Sequence, residues 1–209
     1  MLLAAALIAA AVAPASVAPA GGKPFNVVTF GTSITARGGW QKPLAHALSQ
    51  CMKRPVSVRA IGGPGQGSEW GLANVGRVNA LKPDLVIVEF AINDADLRNW
   101  ISPRSSRHNM MLLAQRLEAG PSQPRVVLMT TNPVIGWKRL LRPRLERYYA
   151  EYHRVSAKRR VGLANGQNAW SDLTGRQLAQ AIPDGTHPRP AVFTKIMVPH
   201  IVRASGLCP

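Results

Sequence analysis

Pro83-Asp84-Leu85-Val86-Ile87-Val88-Glu89-Phe90-Ala91-Ile92-Asn93-Asp94 is the stretch on which the fold turns. Residues 84–90 (DLVIVEF) are almost continuously apolar, β-branched, and too few for a buried helix. Alternation would mark a strand with one wet face, whereas a continuous run marks a strand covered on both faces, the habit of parallel sheets. A carboxamide and a carboxylate, Asn93 and Asp94, follow at once.

The same signal recurs on either side. Residues 25–30 (FNVVTF), bounded by Pro24 and Gly31, and 124–131 (PRVVLMTT) read as buried strands, residues 55–61 (PVSVRAI) alternate, and 161–164 form a short fifth piece. Helical spacing fills the gaps. Trp40, Leu44, Ala47, Leu48 and Cys51 predict a helix over 39–53 with Pro43 in its first turn, where proline is tolerated. Further helices are predicted over 69–81, 103–119, 143–159 and 190–205, the last interrupted or kinked at Pro199. Strands alternating with helices imply a mostly parallel sheet covered on both faces, with ligands bound outside the carboxyl ends of its strands.

The 209 residues are 46% hydrophobic and 17% charged, which fits one globular domain. Residues 1–20 differ: they carry no charge, are almost all Ala, Leu, Ile and Val, and end in Ala18-Pro19-Ala20. They read as a signal peptide, although no Lys or Arg precedes the apolar run, and leave a domain over 24–209 exported to the periplasm or the medium. The formal net charge of +16 suits an anionic glycan or a membrane surface as well as simple solubility. Arg142, Arg144, Arg147, Arg154, Lys158, Arg159 and Arg160 read as the solvated face of a basic helix. Tyr148, Tyr149 and Tyr152 beside them read as packing residues, and export argues against nucleic acid as a partner.

The chemistry lies in the loops that leave the strands. Gly31-Thr32-Ser33 follows the first, Gly62-Gly63-Pro64-Gly65-Gln66-Gly67-Ser68 the second, Asn93-Asp94 the third, and Asp184-Gly185-Thr186-His187-Pro188 comes near the end. A serine hydroxyl needs a neighbouring base, which His187 supplies if Asp184 orients it. A tetrahedral intermediate then needs donors for its oxyanion; the Ser33 N–H, the Gly65 N–H and the Asn93 amide are the candidates. Ser33 as a helix N-cap, Asn93 as a turn residue and His187 as an ordinary loop histidine are the competing readings.

FGTSIT (30–35), GPGQGS (63–68), FAINDA (90–95) and DGTHP (184–188) together resemble, in order, the four blocks of the SGNH hydrolases, the superfamily of the GDSL lipases and esterases. The resemblance implies a three-layer α/β/α sandwich, flavodoxin-like, with a mostly parallel five-stranded sheet. It implies Ser33, Asp184 and His187 as the triad, Ser33, Gly65 and Asn93 as the oxyanion hole, and no metal or organic cofactor. Thr32 stands where the family usually has aspartate, Ala60 where many members have asparagine, and Ala91 where glycine is usual. In such a fold the helix ending near Cys51 and the one ending before Cys208 are parallel neighbours on one face, so a disulfide between them is expected.

The expected activity is hydrolysis of small-molecule or carbohydrate esters of short acyl groups such as acetyl, with the loop 132–142 beside the acyl or sugar pocket and Trp137 as a candidate wall. The alternatives are an O-acetyltransferase acting on an exported polysaccharide, hinted at only by Thr32, and a non-catalytic protein that binds anionic surfaces.

Overall fold

In the computed structural model, which describes residues 23–208, the strands are β1 (Phe25–Gly31), β2 (Val56–Gly62), β3 (Leu85–Glu89), β4 (Arg125–Thr130) and β5 (Gly162–Asn165). All pair in parallel, in the order β2-β1-β3-β4-β5. The central strands bury nearly every side chain; Val27, Val28, Phe30, Leu85, Val86 and Val88 are fully covered. β2 lies at the edge and is only half-buried, which is why its sequence alternates. The expected signal peptide, residues 1–20, lies outside the described residues.

The helices are α1 (Ser33–Arg37), α2 (Gln41–Met52), α3 (Ser68–Ala80), α4 (Ala91–Asp94), α5 (Pro103–Glu118), α6 (Leu145–Arg159), α7 (Gly166–Ala169), α8 (Gly175–Ala181) and α9 (Pro190–Ser205). α2 and α9 pack together on one face of the sheet; α3, α5 and α6 cover the other. This is the expected α/β/α sandwich. α9 runs unbroken through Pro199, its buried side formed by Phe193, Met197, Val198 and Ile201. Among the described residues no helix is long and apolar enough to cross a membrane. Cys51, in the last turn of α2, and Cys208, just past α9, form a disulfide with their Cα atoms 5.7 Å apart.

The order 2-1-3 places β1 at the point where successive crossovers leave in opposite directions. A crevice opens there at the carboxyl edge of the sheet. Gly31 of β1 is level with Gly62 of β2 and with Glu89 of β3, so the loops that follow these strands rise side by side.

Arg142 is not part of a basic helical face. It precedes α6, separated from it by Pro143 and Arg144, and only 6% of it is exposed. The sequence reading carried a charge run across Pro143, whereas the guanidinium turns inward to an acidic partner. Tyr148, Tyr149 and Tyr152 are buried, as expected of packing residues.

Candidate active site

The chain leaves β1 at Gly31 and enters α1 through Thr32, which has extended backbone dihedrals and caps the helix by accepting the Ile34 N–H at 3.3 Å. The cap is therefore Thr32, and Ser33 is the first helical residue, half-buried at the carboxyl edge. The Ser33 N–H belongs to the turn whose donors lack helical acceptors. Among the described residues it has no hydrogen-bond partner.

Glu89, buried at the end of β3, anchors this turn. It accepts the Thr32 N–H at 2.7 Å, the Thr35 N–H at 3.3 Å and the Thr35 hydroxyl at 2.7 Å, and both its oxygens lie within 3.1 Å of the Thr32 hydroxyl. A Cβ on Gly31 would come within 2.2 Å of the Glu89 carboxylate, so glycine is required there. The hydroxyl of Thr32 thus ties the loop to Glu89 at the position where the resemblance expects an aspartate. It also spares Glu89 a second carboxyl group in a buried space.

Facing this turn, Ser33 Oγ lies 2.7 Å from His187 Nε2, and His187 Nδ1 lies 2.7 Å from Asp184 Oδ2. Asp184 Oδ1 accepts the backbone N–H groups of Thr186 (2.9 Å) and His187 (2.6 Å), which locks the carboxylate relative to the imidazole. Burial by itself would raise the Asp184 pKa, but the His187 and Thr186 donors and the imidazole outweigh it and hold the group down at about 2. Asp184 is therefore an anion at neutral pH. A carboxylate can only accept, so the 2.7 Å contact puts a proton on His187 Nδ1.

Gly65 has φ +75°, a left-handed conformation that suits glycine, and its N–H has no partner among the described residues. Asn93, buried in α4, donates one Nδ2 hydrogen to Gln66 O at 2.9 Å and keeps the other. Gly65 and Asn93 share the wall of one cavity of about 320 Å³ with Asp96, Arg98, Asn99 and Arg142. A second cavity, about 420 Å³, opens on the other side of the site and is lined by Ile34, Trp40, Asp184, His187 and Phe193 among others.

Sequence reasoning passed over several supporting residues. Asn132, just beyond β4, donates to Thr186 O at 2.8 Å and carries the loop that bears His187; Tyr149 Oη in turn donates to Asn132 O at 2.8 Å. Asp94, read from the sequence as structural support, accepts the Ser68 N–H at 2.7 Å and the Ser106 hydroxyl at 2.5 Å, fixing the start of α3 against α5. Asp96 binds both Arg98 and Arg142, each at 2.7 Å, and Arg142 Nε donates to Ile92 O at 2.8 Å. Burial opposes ionisation of Asp96, but the Arg98 hydrogen bonds and the Arg142 charge hold its pKa below the usual range. Trp137, a candidate pocket wall, stands in solvent at 66% exposure.

Burial pushes Glu89 up to about 7 and Asp94 to about 6, against the lowering effect of their hydrogen bonds. Both values are raised on folding, so between pH 4.5 and 7 the native state binds more protons than the unfolded chain, and stability falls as pH rises. The Glu89 contribution is on the order of 3 kcal/mol across that window. Asp184 has the opposite sign: its contribution is present above its ordinary value and is lost as pH falls toward about 2, outside the window. Glu89→Gln keeps a neutral isostere whose amide donates to the Thr32 hydroxyl. Thermal melts should show the wild type losing stability from pH 5 to 7.5 and Glu89→Gln losing distinctly less; parallel curves would mean that Glu89 does not titrate there.

The model of the GDSL-like Lipase/Acylhydrolase family matches residues 29–193. No curated protein matches the sequence. Among solved structures, a lipase/acylhydrolase from Enterococcus faecalis is similar at 24% identity with a TM-score of 0.74, over 88% of this chain and 97% of that one. TesA is similar at 24% identity and a TM-score of 0.68, over 86% and 97%. Axe2, an acetylxylan esterase from Geobacillus stearothermophilus, is similar at 19% identity and a TM-score of 0.72, over 88% and 95%. At these identities the structures speak for the fold; the family match, which spans most of the chain and all four sequence blocks, establishes that the chain belongs to the GDSL-like lipase/acylhydrolase family of ester hydrolases.

Proposed function

We propose that the protein is an exported serine esterase that cleaves short-chain carboxylic esters, acetyl groups on carbohydrate among them, through an acyl-enzyme. The observation that carries this reading is the unbroken hydrogen-bonded chain from Ser33 Oγ through His187 to Asp184, at 2.7 Å for each link. His187 Nε2 takes the hydroxyl proton as Ser33 attacks the carbonyl carbon, and Asp184 stabilises the imidazolium that results. The oxyanion meets the Ser33 N–H, the Gly65 N–H and the free hydrogen of Asn93. His187 then returns the proton to the departing alcohol, and a water activated by the same imidazole releases the acid.

The leaving oxygen must lie within reach of His187, which assigns the alcohol to the cavity lined by His187 and Trp40. The acyl group then points past Gly65 and Asn93 into the smaller cavity, whose wall of Asp96, Arg98, Asn99 and Arg142 is polar. A long alkyl chain there would desolvate those groups without pairing them. A short acyl group avoids that cost. The likeness to an acetylxylan esterase fold supports the same choice. The leader-like residues 1–20 and the disulfide support export.

The test is hydrolysis of p-nitrophenyl esters of graded chain length by the purified protein. Activity should peak at acetate to butyrate, and a maximum at long chains would overturn the short-acyl assignment. Adding oligosaccharide to the same assay distinguishes release to water from transfer to a sugar. Asn93→Ala should lower kcat by about 10²- to 10³-fold, the usual loss for one oxyanion donor. A loss under fivefold would remove Asn93 from the hole.

A further inference from the structure

Among the described residues the exposed large hydrophobic side chains are Leu97, Trp100, Trp137 and Leu140. All four sit on two segments that follow β3 and β4 at the carboxyl edge of the sheet, the edge that also carries Ser33 and Asn93. The segments are fastened together: Arg142 reaches Asp96 at 2.7 Å, and Tyr148 Oη donates to Ile101 O at 2.6 Å. Trp100 is 93% exposed and has φ +54°. It is the left-handed C-cap of the short helix Leu97–Asn99, a place usually taken by Gly or Asn.

The exposed charges on the two segments themselves are basic. Residues 135–144 contain Lys138, Arg139, Arg142 and Arg144 and no acid. On the neighbouring segment Arg98 is exposed, while Asp96 is buried and ion-paired. Trp and Leu projecting from a ring of Lys and Arg match the layered chemistry of a bilayer surface, with acyl-chain boundary within and anionic headgroups outside. A sugar-stacking platform is a poorer match. The Lys138 ammonium sits 4.2 Å from the Trp137 ring centroid and occupies one of its faces, and Leu97 and Leu140 offer a sugar neither a π-face nor a hydrogen bond.

We propose that this rim is a membrane-docking surface: Leu97, Trp100, Trp137 and Leu140 enter the headgroup layer of an anionic phospholipid bilayer, and Lys138, Arg139 and Arg144 pair with its phosphates. Docking turns the carboxyl edge of the sheet toward the lipid, so Ser33 faces esters presented at that surface. The proposal rests on the esterase reading only for that last consequence. The binding itself can be measured without any hydrolysis.

The test is co-sedimentation of the full chain with phosphatidylglycerol/phosphatidylcholine vesicles and with pure phosphatidylcholine, together with tryptophan emission; Trp40 and Trp170 are buried and Trp70 is packed against Phe30 and Phe90, so a blue shift on binding reports Trp100 and Trp137. Trp137→Ser/Leu140→Ser keeps the net charge. It should bind the mixed vesicles about tenfold or more weakly than wild type, as the loss of two large apolar anchors requires. Lys158→Ser/Arg160→Ser removes charge at the far end of α6 and should weaken binding less than the neutral pair does. All three chains share one amino terminus, so residues 1–20 cancel from the comparison. Equal binding by wild type and the neutral variant, or binding without a blue shift, would reduce the effect to diffuse attraction by a chain of charge +16 and overturn the proposal. An equal loss of affinity for a soluble sulfated polysaccharide would assign the rim to a polymer and overturn it too. Loss of ester hydrolysis with vesicle binding intact would sink the esterase reading and leave this one standing.

Discussion

Ser33→Ala is expected to fold like the wild type and to lose ester hydrolysis by roughly 10⁴- to 10⁶-fold in kcat/KM, the range seen when a triad nucleophile is deleted. The fold should survive because nothing structural hangs on the Ser33 hydroxyl, whose hydrogen bond is to His187 Nε2. The turn is pinned instead by Thr32 and Thr35 on Glu89, and the cap is the Thr32 side chain. Melting temperatures of mutant and wild type should agree closely. Binding should change little too, since the backbone N–H groups of residues 33 and 65 and the Asn93 amide remain. The residual rate, still above that in water, would measure what these donors do without a nucleophile. A mutant within tenfold of wild type on p-nitrophenyl acetate would end the nucleophile assignment. The protein would then be a member of its family that binds and does not cut.

The fold was legible where physics leaves one choice. DLVIVEF and FNVVTF are long apolar runs that no exposed segment tolerates, and both are central strands of the sheet. α1, α4 and α7 were not legible because four or five residues are too few for a 3.6-residue period to show. α8, with Ala181 as its one buried residue, has hardly an apolar face to betray it. The candidate site was legible as blocks because its parts follow strands whose ends share an edge. Its supports were hidden for a different reason. Glu89 is the last residue of an apolar strand, and only the cost of burying a carboxylate hinted that Thr32 and Thr35 must meet it. Asn132 stands at the same edge after β4, an exit from which the sequence reading drew a pocket loop and no catalytic group. Arg142 was misplaced because charge runs carry no information about direction, and Asp96, its partner, lies 46 residues back in a different segment.

Removing the Cys51–Cys208 bridge should strongly destabilise the molecule and leave its chemistry alone. The cross-link closes a loop with a sequence separation of 157. Restricting an unfolded chain over that length is worth about 5 kcal/mol in the chain-entropy account, and native bridges typically give about 2–5 kcal/mol when removed. Whole domains have only about 5–15 kcal/mol in total. For a chain of this size each kcal/mol moves Tm by about 2–4 °C, so Cys51→Ala/Cys208→Ala should melt about 10 °C or more below wild type. Hydrolysis by the fraction still folded at 25 °C should be unchanged, and the geometry says why. A helix that follows a parallel strand runs back along it, so α2 and α9 both end at the amino edge of the sheet. Ser33, Asn93 and His187 occupy the carboxyl edge. A double variant that melts within about 3 °C of wild type would mean that the packing of α2 against α9, with Phe193 against Trp40 at 5.6 Å between ring centroids, already restricts the chain as far as the bridge does. A loss of kcat in step with the loss of Tm would mean that the two edges of the sheet are coupled. In that case the disulfide would belong to the account of catalysis as well as to that of stability.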